Sequence, residues 1–328
     1  MKEIIIDHTN AGSRLDKIVS KYLDKAPKSF VYKMLRKKNI ILNDKKASGN
    51  ELLTAGDVIK IYLADATVAK FKGEKKERKS SFSQEDIKSL ICYEDENIIA
   101  FNKPQGMLSQ RANAGDISLN DLLLAYLDEE ETELFTPGIA NRLDRNTSGI
   151  VLAGKTLAAS RCLNEIIRRR LLSKHYVCLV KGVMKDAETI DGYLIKDEDT
   201  NCVQILQDAS LNAKRIVTAY EPLCHNDHVT LLDVDLITGK SHQIRSHLAY
   251  ISHPIIGDVK YGDRSINSRY LAEYGLKWQL LHAYKVTFDH ADGELSYLNG
   301  KTIYAEYPDE FREIIEGENL WLPGTAED

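Results

Sequence analysis

The stretch from Gly149 to Ala153 constrains the fold more than any other: Gly-Ile-Val-Leu-Ala offers no polar side chain at either alternate position. Read as a strand, it has no face that tolerates water and must be covered on both sides. A charged turn runs directly into it, Asn141-Arg142-Leu143-Asp144-Arg145-Asn146-Thr147-Ser148. Asp144, flanked by Arg142 and Arg145, is thereby held at a loop-to-strand junction, where a rigid scaffold can aim a reactive side chain. On spacing alone a second reading stays open, in which Asp144 only caps its turn and pairs with a neighbouring arginine.

A strand buried on both faces needs a large core, and 328 residues suffice for about two domains, each with its own. With 43% hydrophobic and 28% charged residues the composition is that of an ordinary soluble protein. The N-terminal apolar run Ile4-Ile5-Ile6 is too short for a signal peptide, and no apolar stretch approaches the length of a membrane span. A cytoplasmic protein without membrane contact is expected. Cys92, Cys162, Cys178, Cys202 and Cys224 are scattered and contain no Cys-x-x-Cys pair, so reduced, mostly buried thiols are expected.

Taken globally, a net charge of −5 speaks against a polyanionic partner. The distribution reverses that reading, because residues 14–46 carry eleven Lys or Arg against three Asp. Acidic residues gather instead at Asp128 to Glu133 and from Glu306 onward. Leu15, Ile18, Val19, Tyr22 and Leu23 recur at helical spacing, and Ser13 with Asp16 has the spacing of a capping box. A second helix is predicted from about Ser29 to Lys38, ending in Arg36-Lys37-Lys38, then short strands at Ile40 to Leu42 and Val58 to Leu63. Two helices and a small hairpin with one basic face resemble the αL RNA-binding domain first known from a small-subunit ribosomal protein. A bare solvated helix pair is the alternative, but that many positive charges on so small a fold would repel one another without a polyanion.

The expected organisation is therefore an RNA-binding domain over 1–66, a flexible basic linker over 67–84, and a second domain over 85–328. Residues 65–83 show almost no apolar periodicity and many lysines. Beyond them, strands are predicted at Leu90 to Tyr93, Ile98 to Phe101, Ile150 to Ala153, Lys174 to Gly182, Asn201 to Leu206, Arg215 to Leu223, His228 to Leu236 and Leu281 toward Phe288. Helices are predicted at Ser118 to Leu127 and Thr156 to Leu172, the latter ending in three arginines suited to the helix dipole and to a phosphate. Thr238 to His247 reads as a polar turn containing Arg245, and the segment from Leu248 as a loop with a strand inside it. Helices mixed with mostly antiparallel strands imply an α+β domain built on one large mixed sheet.

The chain has no Gly-x-Ser-x-Gly elbow, no phosphate loop and no Gly-x-Gly-x-x-Gly, which removes the main support for hydrolase, nucleotidase and dehydrogenase readings. His242 and His247 are spaced for different faces of a helix or a strand, which argues against a zinc pair. Five segments remain, in order: Asn102-Lys103-Pro104; Arg142-Leu143-Asp144 through Thr147-Ser148-Gly149; Lys174-His175-Tyr176; Gly239-Lys240-Ser241-His242-Gln243-Ile244-Arg245 with His247; and Leu281-His282-Ala283. Together they resemble the RluA-type RNA pseudouridine synthases, and with the N-terminal module the arrangement is similar to that of the members acting on large-subunit ribosomal RNA.

The resemblance implies an isomerase that detaches uracil from its ribose, turns it and rejoins it through carbon, with no metal or organic cofactor. It implies Asp144 as the nucleophile or base, whose carboxylate must be ionised, a state that an adjacent cation favours. It implies Arg245 as that cation and Tyr176 as the aromatic face on which the target base stacks. The uridine must be flipped out, because a stacked nucleotide leaves no room for attack at its glycosidic bond. Arg142 is expected to fill the gap left behind, and Lys174, Lys240, His242, Gln243 and Leu281 to meet the substrate RNA. Arg14, Lys33, Arg36, Lys37 and Lys38 of the N-terminal module are expected to add phosphate contacts. Two positions depart from the family pattern, which has His where Asn141 stands and Arg where Lys240 stands. An RNA-binding or ribosome-assembly factor with a vestigial catalytic domain, or a transfer-RNA-modifying enzyme, are the competing readings; a monomer is expected.

Overall fold

Alternation and helical spacing sort the apolar residues into two sheets, each with its own core, in a computed structural model that describes residues 1–8, 10–72, 82–113, 115–127, 135–197, 203–209, 211 and 213–324. The N-terminal unit runs β1 (Lys2–Ile5), α1 (Leu15–Tyr22), α2 (Lys28–Arg36), β2 (Ile40–Leu42), β3 (Lys45–Lys46), β4 (Val58–Ile61) and α3 (Asp65–Phe71). Its four strands are ordered β1-β4-β2-β3. Leu15, Ile18 and Val19 of α1 and Val31, Met34 and Leu35 of α2 close over Ile59 and Ile61 of β4. The expected capping box is not formed: Arg14 holds the cap position of α1 without a side-chain bond, and Asp16 accepts instead from Arg14 and from the Tyr32 hydroxyl. Ile4 and Ile5 lie in β1, at one edge of that sheet.

The stretch expected to be a linker is structured at its start. Residues 65–71 form α3, with Val68 buried and the Phe71 ring 4.6 Å from that of Phe30. A single buried valine and one aromatic contact suffice to dock so short a helix, and neither creates a periodicity visible among the surrounding lysines. Residues 73–81, the lysine-rich middle of that stretch, and the acidic run 128–133 lie outside the described residues.

The second unit comprises α4 (Gln84–Lys88), β5 (Ile91–Glu94), β6 (Ile98–Lys103), α5 (Leu119–Leu127), β7 (Ser148–Gly154), α6 (Leu157–Arg169), β8 (Ser173–Lys181), β9 (Glu188–Lys196), β10 (Val203–Leu206), β11 (Lys214–His225), β12 (Val229–Asp235), α7 (Gln243–Tyr250), α8 (Arg264–Tyr274), β13 (Leu281–Thr287), β14 (Thr302–Tyr304) and α9 (Asp309–Gly317). The sheet is ordered β10-β9-β11-β12-β8-β13-β7-β6-β5, with β14 added beside β13. β7 and β13 run parallel, while β6 and β7, β8 and β12, and β8 and β13 run antiparallel. The α+β reading and the large mixed, mostly antiparallel sheet are therefore observed.

β7 is covered on both faces, as its composition demands. Val151 and Ala153 enter a core shared with α5 and α7, while Ile150 and Leu152 enter another beneath α6. Each fully buried aliphatic side chain contributes roughly 1.5–3 kcal/mol, so this strand anchors whatever is attached to its N-terminal end. Gly149 is obligatory there: its φ is +112°, and a Cβ would lie 2.3 Å from the Ala283 carbonyl oxygen of the parallel neighbour.

Two segments differ from expectation. Thr238 to His247 is not a turn throughout, because Gln243 opens α7 and Arg245 sits in that helix. Beyond Leu248 the chain finishes α7 and forms turns, with an isolated bridge from Ile255 to Val180 in place of the expected strand. β9, α8 and α9 were also not anticipated. The six consecutive buried residues of α7, Gln243 to Leu248, explain why no amphipathic period betrayed it: over that span the helix is covered on all sides.

Candidate active site

Asp144 lies one turn before β7, and its setting is built from backbone bonds. The Thr147 amide donates to the Asp144 carbonyl at 3.1 Å, and the Ser109 hydroxyl both accepts from the Leu143 amide and donates to the Leu143 carbonyl. Ser148 and the buried His282 of β13 share a 2.9 Å hydrogen bond, and Gln279 donates to the Thr147 hydroxyl. Lys103, at the end of β6, is fully buried and donates from Nζ to the carbonyls of Pro104, Met107 and Arg145. Burial pulls this ammonium down to about 7, the charge of Asp144 opposing. Lys103 ties the 104–107 turn to the Asp144 turn.

The partner of the carboxylate comes from α7, a hundred residues away. Arg245 Nη1 donates to Asp144 Oδ2 at 2.9 Å. The same guanidinium is gripped on its other side by Asp258, Nε to Oδ2 at 2.7 Å and Nη2 to Oδ1 at 2.8 Å. Asp258 Oδ1 also accepts the amides of Lys260 and Tyr261. Burial disfavours the Arg245 charge, but hydrogen bonds and charge from Asp258, then Asp144, outweigh it and raise its pKa. Arg245 is thus a permanent, fully directed cation with one fork for a structural acid and one nitrogen for Asp144.

Tyr176 stands on β8 with 6% of its surface exposed, on the same face as Cys178 and Val180. Burial first, and the charge of Asp144 second, raise the pKa of its hydroxyl, which keeps it neutral. Among the described residues that hydroxyl has no hydrogen-bond partner. Alternation places Lys174 on the Tyr176 face, where burial lowers its pKa against the pull of Asp235. The structure therefore brings together Asp144, Arg245, Tyr176 and His242, whose Nε2 is 3.9 Å from Asp144 Oδ2. Arg142 and Lys240 are exposed at the rim.

Two expected substrate contacts are interior instead. Gln243 is 2% exposed, and its amide is spent on Val217, Thr218, Thr238 and Lys240, where it fastens α7 to β11. Leu281 is 3% exposed in the core below Tyr176. Of the arginines ending α6, Arg168 pairs with Glu165 and Arg169 with Asp292, so neither is reserved for a phosphate. Asn141 proves to be a strand clasp: its Oδ1 accepts the Leu152 amide at 2.7 Å and its Nδ2 donates to the Ile150 carbonyl. In the N-terminal unit, Arg14 is occupied by Asp16 and Asn50, whereas Lys33, Arg36, Lys37 and Lys38 stand exposed around the end of α2.

Sequence reasoning missed Asp258, Tyr261, Ser109 and the buried state of Lys103. The signal for Asp258 was a lone acid in Gly257-Asp258-Val259-Lys260-Tyr261-Gly262, which carries no meaning until α7 turns Arg245 toward it. Among the described residues no three His, Cys, Asp or Glu side chains come together as a metal site, and no helix is long and apolar enough to cross a membrane.

A partly exposed carboxylate held by a buried arginine, beside a neutral aromatic side chain on a mixed sheet, is the arrangement of an enzyme site. The comparisons name the family. Residues 97–250 match the RNA pseudouridylate synthase family. The chain is 32% identical to a ribosomal large subunit pseudouridine synthase C of Vibrio vulnificus, covering 87% of each protein. It is 31% identical to the protein of that name from Haemophilus influenzae, covering 92% of this chain and 90% of the other. A solved structure of human RNA pseudouridylate synthase domain containing 4 shares the fold, with a TM-score of 0.60 at 22% identity over 74% of this chain and 98% of that one. The chain belongs to the RNA pseudouridylate synthase family, in its RluA-type branch, and is an enzyme that isomerises uridine to pseudouridine in RNA.

Proposed function

We propose that the substrate is large-subunit ribosomal RNA and that Asp144 is the nucleophile. The single observation carrying the assignment of Asp144 is its directed pairing: Arg245 holds Oδ2 while Oδ1 has no hydrogen-bond partner among the described residues. In the net reaction the N1–C1′ bond breaks, a C5–C1′ bond forms, and a proton passes from C5 to N1. An ionised carboxylate at the sugar can capture or stabilise the carbon that loses uracil, and the freed ring turns against a flat, uncharged surface. Tyr176 provides that surface, because its neutral hydroxyl makes no bond that a turning ring would break. Arg142, exposed next to Asp144, takes the place of the extruded nucleotide, and Lys174 and Lys240 meet flanking phosphates. The ribosomal assignment is supported by the names of the relatives and by the unpaired cluster Lys33, Arg36, Lys37 and Lys38 in a separate N-terminal unit. The protein acts as a monomer in the cytoplasm.

The test is chemical mapping of pseudouridine across ribosomal and transfer RNA from cells carrying the wild type, a deletion, and Asp144→Ala. One or more large-subunit uridines are expected to lose modification in both mutants. Loss confined to transfer RNA would overturn the ribosomal assignment, and an Asp144→Ala strain modified like wild type would overturn the role of Asp144.

A further inference from the structure

Arg145 directly follows Asp144, at a corner of the turn that the Thr147 amide closes on the Asp144 carbonyl. Its own carbonyl accepts Lys103 Nζ at 3.1 Å, and its side chain donates from Nε to the Gly106 carbonyl at 3.0 Å. Backbone and guanidinium are thus both fastened to the 103–107 segment. That segment is braced in turn: Lys103 Nζ also holds the carbonyls of Pro104 and Met107, and Gln105 Nε2 donates to the Gln279 carbonyl just before β13. Gly106, with φ +80°, supplies the left-handed step that a tight turn of this kind requires.

A backbone carbonyl directs a guanidinium without neutralising it. Other exposed arginines meet carboxylates: Arg111 meets Asp121, Arg168 meets Glu165, Arg169 meets Asp292 and Arg215 meets Asp191. Arg145 forms no ion pair among the described residues, and Asp144 is paired with Arg245 instead. The exposed Arg145 side chain therefore has Nε spent, while Nη1 and Nη2 have no acceptor among the described residues. That end of a guanidinium matches two oxygens of one phosphate.

We infer that Arg145 is the phosphate anchor of the target nucleotide: its guanidinium binds a backbone phosphate beside the extruded uridine and so sets C1′ against Asp144. This deepens the reading of Asp144 as the nucleophile and rests on it. A flipped nucleotide keeps its phosphates beside its ribose while the base swings out, so the backbone has to be held next to the point of attack. Arg142, on the other side of Asp144, has no such fastening among the described residues and can follow the vacated stack. Arg145 is held for a charge that stays in place.

The test uses the full chain and a synthetic stem-loop of large-subunit ribosomal RNA containing a uridine that the chemical mapping identifies. Arg145→Ala should weaken binding of this RNA about tenfold or more and lower the slope of log affinity against log salt by about 0.7–0.9, one phosphate contact. An uncharged methylphosphonate is placed on the 5′ or the 3′ side of that uridine, with the matched 2′-deoxy phosphate as control. It should cost the wild type a similar factor on one side, and cost Arg145→Ala nothing further there. Arg145→Lys should keep the slope but recover only part of the affinity, because an ammonium carries the charge without a second nitrogen for Gly106. Affinity within about twofold of wild type at unchanged slope in Arg145→Ala overturns the inference. So do methylphosphonate losses that multiply with the loss in the variant on both sides, or full recovery by lysine. Should Arg145→Ala fail to fold, as circular dichroism would show, Arg145→Lys with the methylphosphonate RNA decides the same question. A mapping that yields no such uridine sinks the proposed function and this inference together, whereas a mapped uridine with unchanged binding sinks this inference alone.

Discussion

Replacing Asp258 by Asn changes one oxygen to an amide and probes how Arg245 is held. Asp258 is 1% exposed and Arg245 7% exposed, so neither can recruit water as a substitute. Oδ1 accepts three donors, Arg245 Nη2 and the amides of Lys260 and Tyr261, whereas Oδ2 accepts Arg245 Nε alone. The asparagine will therefore keep its oxygen at the Oδ1 site and point its amide group at Nε. One buried guanidinium N–H then faces another donor, at a cost of about 1–3 kcal/mol. Loss of the countercharge raises the total toward the 3–5 kcal/mol typical of breaking a buried pair. Asp144 remains as a compensating charge, so about 3 kcal/mol is expected for Asp258→Asn, read as a shift of the denaturation midpoint at unchanged slope.

The acid side gives a second reading of the same variant. Burial pushes the Asp258 carboxyl up, but the hydrogen bonds and charge of Arg245 outweigh it and hold its pKa below the ordinary 3.8. Its stabilising contribution is therefore complete above the unfolded carboxylate pKa and is lost as pH falls through the depressed folded value. Asp258→Asn should lack this part of the acid dependence, so the two proteins should converge in stability as pH drops below about 4. A loss below about 1 kcal/mol at neutral pH, or parallel acid profiles, would refute the claim that Asp258 is what fixes Arg245.

Gly149→Ala should destabilise by about 2–4 kcal/mol, combining the left-handed φ with overpacking against Ala283, and a thermal shift within error would contradict the close approach of β7 and β13. Tyr176→Phe should keep the rate within about threefold, because the hydroxyl has no partner to lose, whereas Tyr176→Leu should lose the roughly 1–3 kcal/mol of base stacking in single turnover; equal losses in both would place the function of Tyr176 in its hydroxyl. Alanine at Lys33, Arg36, Lys37 and Lys38 together should flatten the dependence of RNA affinity on log salt by about 0.7–0.9 per phosphate contact removed, and an unchanged slope would show that this face does not touch RNA.

Regular elements with strong periodicity were legible in the chain. α1, β6, β7, β8 and α6 fall close to their predicted spans because their buried residues repeat at the element's own period. The elements that escaped are those whose pattern is erased by their surroundings. α7 is buried nearly all round, α3 is fastened by one valine and one aromatic contact, and β9 contains an Asp191-Gly192 pair that reads as a turn. The site shows the same division. Asp144, Tyr176 and Arg245 announced themselves through motifs, but Asp258 acts only through a partner brought from another segment, and no local pattern encodes that. Gln243 and Leu281 show the other side of this, since residues of a motif can lie in the packing beneath a site, a placement that the motif itself does not reveal.

The parallel pairing of β7 with β13 also dictates an order of events as the chain is made. Ser148 and His282, joined by a hydrogen bond, are 134 residues apart, so the turn carrying Asp144 waits for nearly the whole protein before its second edge is in place. The N-terminal sheet, by contrast, draws its buried residues from Ile4 to Val68 and can close while the rest is still being synthesised. A nascent chain thus acquires its basic face long before its carboxylate is set. A truncated product would carry the closed N-terminal sheet and its exposed basic residues without the second edge of the Asp144 turn, so the distance in sequence between these two strands separates the two units in time as well as in space.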